Sequence, residues 1–421
     1  MTPVLLDAWL PRAAARHPDR AAVNERSYAR LLSDAERAAR RLAARGVRPG
    51  DRVGLELPPG EDLVVALHGC LLLGAVAVPI DVRLGAAERD DVAQGTAVRV
   101  DGPIDGDEAD VRLRDRHDPD AVAIVVHTSG SSGRPKPVEL TYGNWLWSAL
   151  GSAVALGLDS SERWLCTLPL SHVGGLSIVL RSAITATSAI VHDRFRTERV
   201  LQELQRPLGP TMVSLVPTTL QRLLDAGLRE PPALRWALLG GAPVSPALLG
   251  RAAAAGVPVA TTYGLTEACS QVTTLGAPLF CTRVALAADG EILVSGPTVA
   301  PASGPVLHTG DLGEWNADGS LHVAGRKADT IVTGGENVAP AEVESVLEGH
   351  PSVAEAAVHG APHPEWGEAV VATVVVREDV SEDELRAHCA ARLAPFKVPK
   401  SIRFANGLPR TRSGKLIRSE L

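Results

Sequence analysis

Apolar positions recur along the chain with two alternating periods. "SYARLLSDAERAARRLAARGV", from Ser27, repeats every third or fourth residue. It predicts an amphipathic helix that stops at Gly46, with "DRVGLEL" behind it as a strand. "LVVALHGCLLLGAVAVPI", from Leu63 to Ile80, is apolar throughout but carries His68 and two glycines and ends in proline. That predicts a buried helix running into a strand rather than a membrane span. Residues 81–120 are rich in Asp, Arg and Gly without strong periodicity and predict a loop-rich connection. From Ala121, where "AVAIVVH" is a short β-branched apolar run, to about Gly264 predicted strands alternate with helices: a helix from Thr141, then "RWLCTLPL", "ATSAIVH", "PTMVSLV", "LRWALLGG" and "PVATTYG". This alternation predicts an α/β fold of mostly parallel, helix-covered sheets, with ligands at the C-terminal strand ends.

Beyond that region "GEILVSGP", "PVLHTGDLGEW" and "SLHVAG" predict short antiparallel strands. A second unit follows, with a helix from near Pro340, the strand "AVVATVVV", the helix "SEDELRAHCAARL" and a basic tail. The expected organisation is a large N-terminal domain over 1–325, a connection at 326–329 and a smaller C-terminal domain over 330–421. A length of 421 residues exceeds what one core usually carries. A net charge of −7 argues against general affinity for nucleic acid or an anionic membrane, so an anionic substrate must be met by local donors. The five cysteines are dispersed without a metal-type pair, and no secretory signal opens the chain; both point to a reduced, cytoplasmic setting. The sequence allows a homo-oligomer without specifying one.

Candidate chemistry begins with "HTSGSSGRPK", His127 to Lys136. Glycines let successive N–H groups turn toward one point and hydroxyls add donors, a nest suited to an anion with several oxygens. It is not a Walker loop, because Gly133 is followed by Arg134 and Pro135 rather than by Lys and Ser or Thr. A plain Ser/Gly surface loop is the alternative. "LPLSHVGGLSIVLRSA" sets His172 on a tight turn ahead of a helix. "LLGGAPVS" ends a strand in small residues that a flat ring could approach. "TTYGLTEACSQ" offers an aromatic, a hydroxyl and a carboxylate close together. Glu267 there could hold Mg²⁺ beside phosphate oxygens. "HTGDLG" sets Asp311 between glycines, where a carboxylate could chelate a ribose diol or simply make an Asp-Gly turn. "GRKADTIVTGGENVAP" and "LPRTRSGKL" complete the series.

In their order and spacing these segments resemble the adenylate-forming superfamily of acyl- and aryl-CoA synthetases, over essentially the whole chain. The resemblance implies a large adenylation domain of layered sheets with a small β-barrel-like part, and a smaller, mobile α+β domain. It implies that a carboxylate attacks the α-phosphorus of ATP with Mg²⁺ present, and that a thiol, typically of CoA, then attacks the acyl-adenylate. Thr128, Ser129, Gly130, Ser131, Ser132, Gly133 and Lys136 match the phosphate loop; Gly240, Gly241, Ala242 and Tyr263 match the adenine side. Thr266 matches the phosphate-contacting hydroxyl, Glu267 the magnesium ligand, and Asp311 with Arg326 the ribose pair. Lys415 matches the lysine between acyl carboxylate and α-phosphate. His172 matches the gate between acyl pocket and thiol tunnel, and Gly334 with Gly335 the loop that enters for the second step. One departure is Ala328, where the family often has Asp or Lys at the hinge.

Within the superfamily, "RWLCTLPLSHVGGLSIVLRS", "HDRF", "LLGGAPVSPALL" and "YGLTEACSQVTTL" are similar to a branch of menaquinone biosynthesis whose substrate is an aromatic dicarboxylate. Such a substrate needs a cation in its pocket. Arg181 is the residue that corresponds, unless it is a surface residue of an amphipathic helix, and Ser270, Gln271 and Thr274 are further polar candidates. The alternatives are another aryl- or acyl-CoA ligase, or an enzyme loading a carrier protein. An amino-acid-activating domain usually has Asp to meet the substrate ammonium, where "LSHVGG" offers His172. A catalytically dead binding protein would be expected to lack Lys415 or Glu267, and both are present.

Overall fold

A computed structural model describes residues 4–129, 135–410 and 416–421. Its first sheet has five strands in the order Val98–Val100, Arg52–Leu55, Val76–Pro79, Val122–Ser129, Pro135–Thr141; the first four run parallel and the last antiparallel. The second sheet has nine strands. At its centre Ser188–Val191, Arg163–Cys166, Met212–Leu215, Trp236–Leu239 and Val259–Leu265 lie side by side in parallel.

Helices form where the pattern places them. Ser27 caps the helix Tyr28–Ala44, its hydroxyl accepting from the Arg30 amide, and the helix buries Leu31, Ala35, Ala38, Ala39 and Leu42 on one face. Against that face packs Glu61–Leu73, which is apolar on nearly every side because it lies inside the main core. The two backbones meet at Gly69, where an added Cβ would lie 3.0 Å from the Ala38 Cβ and 3.3 Å from the Ala35 carbonyl oxygen. Thr141 caps the helix Tyr142–Leu156, and its turn is closed reciprocally by Asn144. No described helix is long and apolar enough to cross a membrane.

The strands Arg283–Leu286, Glu291–Ser295, Leu307–Trp315 and Leu321–Arg326 make a four-stranded antiparallel sheet with its own small core. After the short turn Lys327–Asp329 comes a separate five-stranded sheet, covered by the helices Pro340–Glu348 and Glu382–Ala390 around a third core.

Three regions hold elements that the sequence expectation did not place. Residues 81–120 are not only loop: they hold the helix Ala86–Ala93 and the strands Val98–Val100 and Arg116–His117. Each is short and buries one residue (Val92, Val100 and His117), too few to write a period. Pro135–Thr141 is a strand despite two prolines, because it lies at the sheet edge. Val353–His363 is a long strand whose inward face is only Val353, Ala356, Ala357 and Val358, a weak alternation.

Candidate active site

Several candidate residues converge beyond the C-terminal ends of the central parallel strands. Trp236–Leu239 leads into Gly240, Gly241 and Ala242, of which the last two are exposed. A Cβ on Gly240 would lie 2.7–2.8 Å from Thr262 on the neighbouring strand, so only glycine lets this turn lie against it. Val259–Leu265 continues into a turn, Thr266–Ala268, and folds back as Ser270–Thr274. Gly264 sits at the bulge between them, where a Cβ would fall 1.7 Å from the Ser270 carbonyl oxygen. Thr266 and Glu267 are thereby held half-buried at a strand end, with the Glu267 carbonyl fixed by the Ala300 amide.

Tyr263, Asp311 and Arg326 come together. The Tyr263 hydroxyl donates to Asp311 Oδ2 at 2.7 Å, and Arg326 Nε lies 2.8 Å from Asp311 Oδ1. Asp311 is 5% exposed, while the Arg326 side chain is half open. Burial and the Asp311 charge push the Tyr263 phenol above its ordinary range, so it remains a donor. A carboxylate is a good acceptor for a pair of hydroxyls.

A second group forms on the helix Val173–Thr185, which His172 precedes as its N-cap residue. The tight turn requires Gly175, where a Cβ would lie 2.4 Å from the Pro169 carbonyl oxygen. Arg181 on this helix is 4% exposed, so it is not a surface residue. Its guanidinium lies 4.3 Å above the Trp164 ring, and one nitrogen donates to Gln271 Oε1 at 3.2 Å. Gln271 in turn donates to the Thr274 hydroxyl at 2.8 Å. Arg181 Nε and Nη1 are buried without a hydrogen-bond partner. Burial pulls its pKa down to about 10, opposed by the charge of Glu162, so the cation persists at neutral pH. A permanent cation with two orphaned donors, stacked on an indole, is a socket for a carboxylate. Ser270 lies in the left-handed region (φ 94°) between Cys269 and Gln271.

Thr128 lies near the end of its strand, its hydroxyl directed at the Lys136 carbonyl at 3.5 Å, and Lys136 is exposed. Gly130, Ser131, Ser132, Gly133 and Lys415 lie outside the described residues, as does the side chain of Ser129. Gly334 and Gly335 form the turn of the hairpin Ile331–Thr333/Glu336–Val338, both with positive φ, in the C-terminal sheet. The Gly334 amide donates to the Trp366 carbonyl at 2.8 Å.

Sequence reasoning missed the residues around these groups. Trp164 reads in sequence only as a strand residue, and its place under Arg181 depends on the helix Val173–Thr185 packing back on the strand Arg163–Cys166. Trp366 stacks on His363 with ring centres 4.1 Å apart, and Lys400 Nζ lies 4.8 Å from the same indole. Lys327 reaches back to Asp289 at 2.6 Å and Glu291 at 3.3 Å, whereas Asp329 pairs with Arg418 at 3.1 Å. Arg418 also binds Glu344, and an antiparallel bridge joins Arg410 to Leu416. Glu348, at the end of its helix, meets Ser245 of the large unit; burial, with Glu344 nearby, lifts its pKa to about 7.

Comparison with known proteins gives the family. The model of the AMP-binding enzyme family matches residues 10–101 and 88–302, and that of the AMP-binding enzyme C-terminal domain matches 342–415. The 2-succinylbenzoate–CoA ligase of Bacillus subtilis is 36% identical over 98% of this chain and 97% of its own. The o-succinylbenzoate CoA synthetase of the same organism, solved with its acyl-adenylate intermediate, superposes with a TM-score of 0.90 at 35% identity over 99% of this chain and 98% of that one. The same enzyme with ATP and magnesium ion also gives 0.90 at 35% identity, over 99% of this chain and 100% of that one. From the turn of Gly264 to the buried pair at Asp311, and over its full length, the chain belongs to the AMP-binding, adenylate-forming enzymes, the family that includes the 2-succinylbenzoate–CoA ligases.

Proposed function

We propose that the protein is an AMP-forming acid–CoA ligase that converts 2-succinylbenzoate, ATP and CoA into 2-succinylbenzoyl-CoA, AMP and pyrophosphate. The observation that carries the choice of acid is Arg181: a buried, charged guanidinium with two unpartnered donors has no use for a purely apolar acyl chain. It fits the ring carboxylate of an aromatic acid whose other carboxylate is activated, with Gln271, Thr274 and Ser270 as polar neighbours.

A free carboxylate resists nucleophiles because of its charge and resonance, and joining it to AMP removes the charge and supplies a leaving group. In this reading Thr128, Ser129, Gly130, Ser131, Ser132, Gly133 and Lys136 hold the β- and γ-phosphates. Gly240, Gly241 and Ala242 border the adenine, and Asp311 with Arg326 holds the ribose. Thr266 contacts phosphate, and Lys415 bridges the attacking carboxylate and the α-phosphate. No protein nucleophile is needed; positioning and charge stabilisation lower the barrier. Among the described residues no cluster of three or more His, Cys, Asp or Glu could hold a metal alone. Glu267 would be the protein ligand of a magnesium ion bound together with ATP. When bound it neutralises phosphate charge.

His172 separates the acyl pocket from the thiol's route, and the second step follows rotation about 326–329 that brings in Gly334 and Gly335. The Trp366–His363 stack beside those glycines, with Lys400 over the indole, suits a nucleotide-bearing thiol such as CoA: ring faces for a base and a cation for phosphate. The test is incubation with 2-succinylbenzoate, ATP, Mg²⁺ and CoA followed by mass spectrometry. The thioester is expected; its absence, with a thioester formed from another aryl or fatty acid, would overturn the choice of acid.

A further inference from the structure

His172 does not stand alone on its turn. Asp81 follows the strand Val76–Pro79 of the first sheet, whereas Ser171 and His172 follow Arg163–Cys166 of the second. Across this seam the Ser171 hydroxyl donates to Asp81 Oδ2 at 3.2 Å, and His172 Nε2 lies 3.9 Å from the same oxygen. Arg83 fixes the carboxylate from the other side, through Nε at 2.8 Å, Nη2 at 2.6 Å and its amide at 3.0 Å. Burial alone would raise the Asp81 pKa, but the Arg83 hydrogen bonds and the Arg83 and His172 charges outweigh it, so the group is held ionised.

The backbone beneath His172 has little freedom. The turn is closed on Pro169, and Gly175 fits there only because it has no Cβ. What can still move is the imidazole about its side-chain torsions, and Asp81 is the carboxylate paired with it. The Asp81 side chain is 11% exposed and the His172 side chain 41% exposed, so a ring drawn to Asp81 sits at the rim rather than in the interior.

We propose that Asp81 is a positioning residue that holds the His172 ring aside, leaving the thiol a path to the acyl-adenylate. The proposal rests on the reading of His172 as the gate. Without Asp81 the ring loses this tether, and its position shifts toward the path. The activation step, which needs no thiol, is unaffected.

The experiment separates the half-reactions in the full-length protein. Pyrophosphate release is followed with acid and ATP without CoA, and thioester formation is followed from isolated 2-succinylbenzoyl-AMP and CoA. Asp81→Ala is expected to slow the second by roughly three- to tenfold, the scale of losing one partly buried charged contact, and to leave the first within about twofold. Asp81→Asn, which keeps an acceptor for Ser171, should recover part of the loss. In a His172→Ala background, Asp81→Ala should add nothing, because the ring it positions is gone. Parallel loss of both half-reactions, or an undiminished Asp81 effect without the imidazole, would overturn the proposal. If His172→Ala alters thioester formation and Asp81→Ala does not, the positioning role fails by itself. If His172→Ala leaves thioester formation unchanged, the gate reading fails and takes the proposal with it.

Discussion

Arg181→Leu separates a binding role from a structural one. In the native chain the guanidinium makes one hydrogen bond to Gln271 and stacks on Trp164, with two buried nitrogens unpaired. If a substrate carboxylate completes them, the two charge-assisted bonds are worth about 1.5–3 kcal/mol each, and truncating one side of such a buried pair costs about 2–5 kcal/mol. At 1.4 kcal/mol per decade, kcat/KM for 2-succinylbenzoate should fall by roughly 30- to 4,000-fold, carried by KM, while KM for ATP stays within about twofold. The stability balance differs. Each orphaned donor costs the free protein about 1–3 kcal/mol, and its removal offsets the lost stacking (~1–2 kcal/mol) and the lost Gln271 bond (~1 kcal/mol). Glu162 is not stranded, because Arg235 pairs with it at 2.8 Å. The variant should therefore melt no lower than wild type. The assays are initial rates at varied acid and at varied ATP, with a thermal melt. Unchanged acid kinetics would remove Arg181 from the site; a lower melting temperature with both KM values rising together would make it a fold residue.

Asp311→Asn should weaken ATP binding by about 1.5–3 kcal/mol, roughly ten- to a hundredfold by calorimetry, because it removes the charge that faces Arg326 and the proposed ribose hydroxyls. Gly264→Ala should destabilise the protein by more than ~3 kcal/mol, since backbone must move to clear the 1.7 Å contact. Gly250→Ala, in the helix Pro246–Ala254 with open space around it, should stabilise by about 0.5–1 kcal/mol in the same melts. Glu348→Gln should flatten part of the pH dependence of stability. The folded pKa, about 7, lies above the ordinary carboxylate value of 4.5. Native stability from this group is thus full below about 4.5 and lost as pH rises through about 7, on the order of 2 kcal/mol. Denaturant midpoints at pH 5 and pH 8 should lie closer together in the variant; an unaltered difference would refute the assignment.

The layered parallel sheets were legible because their strands are short, continuous apolar runs buried on both faces, and the helix Tyr28–Ala44 because its period is long and its cap explicit. Pro135–Thr141 was hidden because the rule against proline in strands does not apply at an edge. At the site, Arg181 was legible as a candidate but not in its burial. Its helix is buried on nearly every side from Gly175 to Ile184, but a lone arginine in an apolar run reads equally well as the edge of a surface helix. Asp81, Trp164 and Trp366 carry no motif, because each acts through a partner distant in sequence, and nothing local in a sequence encodes that pairing.

The turn at Lys327–Asp329 is moored at both ends to different bodies. Lys327 is tied to Asp289 and Glu291 on one side, and Asp329 to Arg418 on the other. Between these ties stands Ala328, whose methyl group can hold nothing. A swivel of the small unit against the large one would therefore concentrate in the torsions of a single residue. The Lys327 and Asp289 side chains are about half exposed, so that tether is weak and screened by salt. If the small unit does turn there, ionic strength should lubricate the joint as well as compete for the proposed anionic substrates.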